Sequence, residues 1–146
     1  MKVDIGEYTD EGQDVQVIIH DYDVWSMDST LAHIIVPMLK KLKETQHGHP
    51  SNLTEEEWDE KLDEMIWAFE QKLINWEEQY IIQQGEIDWD STEKDEAGNS
   101  IIRWSKEHIV DWTNQQIVDW DARTAHHNRM TNGFKLFGEW YEHLWD

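Results

Sequence analysis

The run Thr54-Glu-Glu-Glu57, followed by Trp58, Leu62, Met65, Ile66, Phe69, Leu73, Trp76 and Tyr80, constrains this chain more than any other stretch. The Thr54 hydroxyl can accept from the amide three residues on while the Glu57 carboxylate reaches back to the Thr54 amide. Leu53 and Trp58 flank this capping box as a hydrophobic staple. The apolar residues then step by three and four, which puts them on one face of a helix. The spacing predicts a helix from Glu55 to about Ile82, on the order of 40 Å long. Its opposite face carries Asp59, Glu60, Asp63, Glu64, Glu70, Glu77 and Glu78, with only Lys61 and Lys72 as nearby i,i+4 partners. Apolar cover and positive charge must therefore come from elsewhere in the chain.

Both are available between Tyr22 and Pro50. Asp28 is placed as a helix N-cap, and Leu31, Ile34, Ile35, Met38, Leu39 and Leu42 follow at helical spacing. Pro37 falls inside that stripe and predicts a kink rather than a stop. Lys40, Lys41 and Lys43 crowd the last turns, where they complement the negative end of the helix dipole. Gly48 and Pro50 end the segment in a His-Gly-His-Pro exit.

Upstream, residues 2–8 and 14–20 alternate apolar and polar side chains around the Gly-bearing turn 9–13, a β-hairpin pattern with Val3, Ile5, Val15, Val17 and Ile19 as its buried face. Downstream, organisation weakens from Gln83 to Gln116. Residues 86–90 and 100–105 could pair as a second hairpin around Glu96-Ala-Gly-Asn99, and a strand at 107–112 is an alternative. Ile109-Val-Asp-Trp112 and Ile117-Val-Asp-Trp120 echo one another, but two copies make no repeat architecture. A last helix is predicted from Thr113 or Asn114 to about Trp145, with Ile117, Trp120, Thr124, His127, Thr131, Phe134, Gly138, Tyr141 and Trp145 as its stripe. Gly133 and Gly138 would let it approach another helix closely. The expected fold is α+β and mainly helical, with three long helices forming one core and one or two peripheral β-hairpins. It is read as a single domain over 1–146: an N-terminal hairpin (1–20), a helical pair (28–82), a variable hairpin insertion (83–112) and a C-terminal helix (113–145).

Charge and composition narrow the function classes. Twelve Lys and Arg stand against 32 Asp and Glu, a formal net charge of −20, which disfavours direct nucleic-acid binding and acidic membrane surfaces. Ten Trp, four Tyr and three Phe argue for a folded acidic domain rather than a disordered one. The absence of Cys removes disulfides, thiolate nucleophiles and Cys-ligated zinc. Neither a signal peptide nor a membrane span is expected.

Residues 21–50, the segment Asp63-Glu-Met-Ile-Trp-Ala-Phe-Glu-Gln71 and the ending Arg129 to Asp146, in that order, are similar to a group of small uncharacterised proteins of tailed bacteriophages. Residues 83–120 fall outside the likeness. The resemblance implies a viral origin and action in a host cytoplasm; no activity attaches to the group, so it transfers no residue role.

No pattern for chemistry stands out. Carboxylate pairs such as Asp88 with Asp90 are expected by chance in so acidic a chain. Asp88-Trp-Asp90-Ser-Thr92 opens like a calcium loop but has Glu93 where Gly is required and Asn99 at the twelfth position. His126 and His127 are adjacent on a helix and point different ways, while His47 and His49 lie in a turn. A non-enzymatic binding protein without metal or cofactor is the expectation. The scarce positive side chains group at Lys40, Lys41, Lys43, His47 and His49, and again at Arg123, His126, His127, Arg129 and Lys135. If they converge near Trp25, Trp67 or Trp140, rings to stack on a base would lie beside cations to hold a phosphate. Candidate ligand-binding residues are thus Trp25, Lys40, Lys43, His47, His49, Trp67, Arg129 and Lys135. The competing explanation is helix-end charge compensation around a Trp-rich core. The partner would be a nucleotide-like small molecule, sequestered as counter-defence, or a host protein that mistakes the acidic surface for nucleic acid. A small virion or assembly component is a third role, and a homo-oligomer is allowed.

Overall fold

The computed structural model describes residues 1–45, 47–83, 87–88, 94–99, 103–104 and 117–145. The chain forms two compact units, Met1–Ile74 with Met130–Asp146, and Asn75–Arg129. The architecture is α+β and mainly helical, with three two-stranded antiparallel sheets among the described residues.

The first unit opens on a hairpin of β1 (Lys2–Thr9) and β2 (Gly12–Ile18), in which Val3 pairs with Val17 and Ile5 with Val15. Gly12, at φ +106°, closes the turn, and the Thr9 hydroxyl donates to its carbonyl at 2.7 Å. The expected burial of the hairpin does not occur: Val3, Ile5, Val15, Val17 and Ile19 are 40–55% exposed. The helices bury their stripes on one another, so the core cluster consists of helix and helix-end residues only.

A short helix not anticipated from the sequence, α1 (Asp21–Trp25), precedes α2 (Met27–Thr45). Helix α2 starts at Met27, so Asp28 lies in its first turn instead of capping it, and the Asp28 carboxylate meets Lys72 Nζ at 2.6 Å. The helix continues through Pro37. Its buried row is Ala32, Val36 and Leu39, with Ile35 and Leu42 partly covered, while Leu31 and Met38 are exposed. This row is rotated away from the expected stripe and includes the small, fully buried Ala32. It also turns Lys40 and Lys43 toward the acidic side of the next helix.

That helix, α3 (Glu55–Gln71), has the capping box in place: the Glu57 amide donates to Thr54 Oγ1 at 3.2 Å and the Thr54 amide to Glu57 Oε2 at 2.8 Å. Trp58, Leu62, Met65, Ile66 and Ala68 are buried along it. The helix stops at Gln71 rather than near Ile82. After it the ladder tightens to bonds three residues apart, Leu73 N to Glu70 O at 2.9 Å and Ile74 N to Gln71 O at 3.5 Å. Asn75, a residue whose amide competes with the helix ladder, donates to Glu78 Oε1 at 2.6 Å and starts a separate turn.

In the second unit, β3 (Ile81–Gln83) pairs with β6 (Ile117–Val118), and β4 (Ile87–Asp88) with β5 (Arg103–Trp104), the second hairpin expected from the sequence. The alternative strand at 107–112, the first copy of the echo and residues 113–116 lie outside the described residues. Ile117 and Val118 are strand, as their β-branched side chains favour. Helix α4 (Trp120–Glu139) begins after Asp119, whose Oδ1 accepts from the Ala122 amide at 3.0 Å. It ends before a 3₁₀ turn at Tyr141–His143.

Within the first unit the inward row of α4 is Met130, Gly133, Leu136 and Phe137, continued by Trp140, offset from the expected stripe; Tyr141 and Trp145 are exposed. Phe69 meets Phe134 and Phe137 edge-on, each at 5.0 Å. Gly133 is the point of closest approach, since a Cβ there would collide with Ala68 Cβ and lie 2.6 Å from the Glu64 carbonyl oxygen. Gly138 faces open space and has no such role. Gly133→Ala is therefore expected to destabilise the fold by about 1–3 kcal/mol or more through overpacking against backbone. Gly138→Ala should instead stabilise it by up to about 1 kcal/mol through helix propensity. Urea midpoints of the two variants moving in opposite directions would verify the contact.

Candidate functional site

The loop leaving α2, the first turn of α3 and the chain after α4 enclose a cleft of about 540 Å³ lined by His47, Gly48, His49, Pro50, Ser51, Trp58, His143 and Trp145. Each wall follows from local structure. The capping box fixes the start of α3 and with it Trp58, which is only 2% exposed and packs edge-on against Trp140 at 5.7 Å. Trp140 in turn meets His143 at 5.3 Å, and the His143 amide closes the 3₁₀ turn on the Trp140 carbonyl at 2.8 Å. His49 lies with Nδ1 3.1 Å from the Pro50 carbonyl. Trp145, 73% exposed, forms the outer lip. Among the described residues, none of the eight that line the cleft is acidic, although 32 of the 146 residues in the chain are Asp or Glu.

The structure separates the lysines from this cleft's lining. Lys40 Nζ meets Glu70 Oε1 at 2.5 Å, and Lys43 Nζ meets Asp63 Oδ1 at 2.6 Å and Asp59 Oδ2 at 3.9 Å. With the Asp28–Lys72 pair they form a ladder of ion pairs along the antiparallel α2 and α3. These cations answer the acidic side of α3. The Lys72 ammonium, hydrogen-bonded to Asp28, together with the Ser29 amide, holds the Asp28 carboxyl below its usual value. Of the other residues expected in a ligand site, Trp25 is 85% exposed on α1, Trp67 is half-buried on α3, and Lys135 is exposed on α4. Arg129 is exposed and belongs to the second unit. His47 and His49 are the expected residues that line the cleft. Trp58, His143 and Trp145 complete it. Their roles were hidden because the sequence does not state that the end of α4 returns to the His-Gly-His-Pro loop.

The second unit holds its own aromatic cluster. The His126 ring stacks on Trp76 at 4.5 Å and 8°, and Tyr80 Oη lies 2.8 Å from His126 Nδ1. Arg123 pairs with Glu77 at 2.5 Å and sits over Trp120, 5.0 Å from the ring centroid. The hollow beside them, about 190 Å³, is below the usual size of a ligand site.

No family model, curated protein or solved structure matches this chain. Among the described residues no group of three or more His, Asp or Glu is placed to hold a metal ion, and no helix is long and apolar enough to cross a membrane.

Desolvation first, and the positive Arg129 second, lower the pKa of His126. A histidine whose folded pKa is depressed contributes stability that is complete above the unfolded value, about 6.5, and is lost as pH falls through the folded value. Proton NMR titration of His126 should give a midpoint below about 6.5. It should rise modestly in Arg129→Ala and more in Trp76→Ala, which opens the ring to water.

Proposed function

We propose that this chain is a phage-encoded, non-enzymatic binding protein that acts in the host cytoplasm as counter-defence by sequestering an anionic nucleotide signal, with the ligand seated between His47, His49, Trp58, His143 and Trp145. The observation that carries this reading is the composition of the cleft. In a chain of net charge −20, a concavity of ligand size is lined, among the described residues, by three imidazoles and two indoles and by no carboxylate. The exposed Trp145 indole offers stacking area for a base, while the buried Trp58 forms an apolar wall. Imidazole N–H groups donate to phosphate oxygens. Lys40 and Lys43, engaged with α3 carboxylates, serve the fold in this reading rather than the ligand.

Cyclic dinucleotides and ADP-ribose derivatives are the probes. Ligand at a hundredfold excess over Kd stabilises by ~2.7 kcal/mol, which for a chain of this size raises Tm by roughly 5–10 °C. The shift is expected to vanish in His143→Ala and Trp145→Ala, both exposed positions outside the buried core. Absence of any shift at saturating concentrations of both ligand classes would refute the reading.

A second reading, an acidic mimic that occupies a host nucleic-acid-binding protein, draws on the exposed carboxylates Glu55, Glu56, Glu57 and Glu60 on the first turns of α3. It predicts capture of a host protein that weakens steeply with salt, because exposed charges are screened.

A further inference from the structure

The three imidazoles of the cleft are not equivalent, because the fold fixes the sense of one of them. Leu53, just before α3, packs against the core cluster, and its amide donates to the Pro50 carbonyl at 2.9 Å. That carbonyl is therefore held in place, with a second lone pair to offer. His49 Nδ1 lies 3.1 Å from it. A carbonyl oxygen accepts and never donates, so this hydrogen bond requires the proton to be on Nδ1. The bond made by one ring nitrogen decides the state of the other, and in the neutral ring Nε2 carries the lone pair. His49 is exposed in the cleft lining, and its Nε2 has no hydrogen-bond partner among the described residues.

A lone pair in this position has a definite preference. It repels a phosphate oxygen and attracts an N–H or O–H group. Among the described residues no group of three His, Asp or Glu is placed to hold a metal ion, which leaves a hydrogen-bond donor as its counterpart. The other side chains of the described lining do not duplicate it: the indoles only donate, the Ser51 hydroxyl turns either way, and no carboxylate is there to accept. His49 Nε2 thus supplies an acceptor whose sense is fixed by the fold. Nucleotides carry matching donors in two places, the exocyclic amine of the base and the hydroxyls of the ribose.

We infer that His49 sets the specificity of the cleft, its Nε2 accepting a hydrogen bond from the base amine or a ribose hydroxyl of the bound nucleotide. The inference rests on the cleft being the nucleotide site proposed above. It gives the ligand a direction, with the phosphate toward His47 and His143 and the donor group toward His49. An analogue without the donor leaves Nε2 unpaired in the complex and binds more weakly for that reason.

The tautomer is tested first, on the full chain without ligand. NMR of the imidazole nitrogens, recorded at alkaline pH with the ring neutral, should find the His49 proton on Nδ1; a proton on Nε2 would overturn the inference. Binding is then measured for ADP-ribose and for cyclic di-adenylate, each beside two analogues. One has hypoxanthine in place of adenine, which exchanges the amine for a carbonyl, and the other lacks the free ribose hydroxyls. For a parent that binds, at least one analogue should bind about 3- to 10-fold more weakly, the effect of one lost hydrogen bond. Weakening with the first analogue identifies the base amine, and with the second the ribose. In His49→Ala, an exposed loop position, the parent should weaken by the same factor and the difference from its analogue should disappear. Parent and both analogues binding alike, or a difference that survives in His49→Ala, overturns the inference and leaves the nucleotide reading standing. Failure of both parents to bind removes the two together.

Discussion

Position 133 has no room for a methyl group, and the first unit is built around that fact. With the Cα of Gly133 lying against Ala68 and the Glu64 carbonyl, α4 approaches α3 at backbone distance. Dispersion contacts fall away within an ångström of separation, so this closeness decides how well Phe134 and Phe137 meet Phe69 and how Trp140 reaches Trp58. The Trp58–Trp140 contact then directs the chain after α4. The 3₁₀ turn begins at Tyr141, and His143 and Trp145 fall across the loop that leaves α2. The cleft is thus a consequence of helix packing some ten residues away from its lining.

Charge organises what the apolar contacts leave open. Helix α3 carries far more carboxylate than its own lysines can answer, and like charges along one helix destabilise it. The lysines of α2 supply the missing cations across the helix pair, Lys40 to Glu70 and Lys43 to Asp63, while Lys72 returns the favour to Asp28. Exposed pairs of this kind contribute little singly, on the order of 0–1 kcal/mol each. Their larger effect is on register. A quarter-turn of α2 would restore the expected burial of Leu31 and Met38 but would take the lysines away from α3. The observed burial of Ala32, Val36 and Leu39 is the rotation that satisfies both demands.

Much of this was legible in the residues, and the failures have identifiable physical causes. The capping box at Thr54 and the stripe from Trp58 to Ile66 were readable because every determinant is local. The close approach at Gly133 was suggested by a glycine inside a helical pattern, although Gly138 gave the same signal and faces open space. The end of α3 was misjudged because Trp76 and Tyr80 continue the helical period. In the structure they serve a separate cluster around His126, beyond the turn in which Asn75 donates to Glu78. Asp28, Lys40 and Lys43 were read for what they could do to their own helix, whereas their partners lie on or just after another one; only Lys41 pairs within α2, with Glu44. His47 and His49 stood out by composition, but His143 and Trp145 could join them only through the tertiary path of α4.

The cleft is set apart by what its described lining lacks. A chain with 32 acidic residues in 146 covers itself with carboxylate by default, and a patch free of it requires explanation. In the core the explanation is burial, and it covers Trp58, which is 2% exposed. His47, His49, His143 and Trp145 are open to solvent, so burial does not explain why no carboxylate stands among them. Neutrality is maintained there beside acidic neighbours, since Glu55, Glu56 and Glu57 stand at the start of α3 within a few residues of Trp58. A carboxylate among these side chains would add to the self-repulsion of the chain and would repel an anion. Neutrality of the described lining is therefore the physical requirement that the proposed ligand would impose.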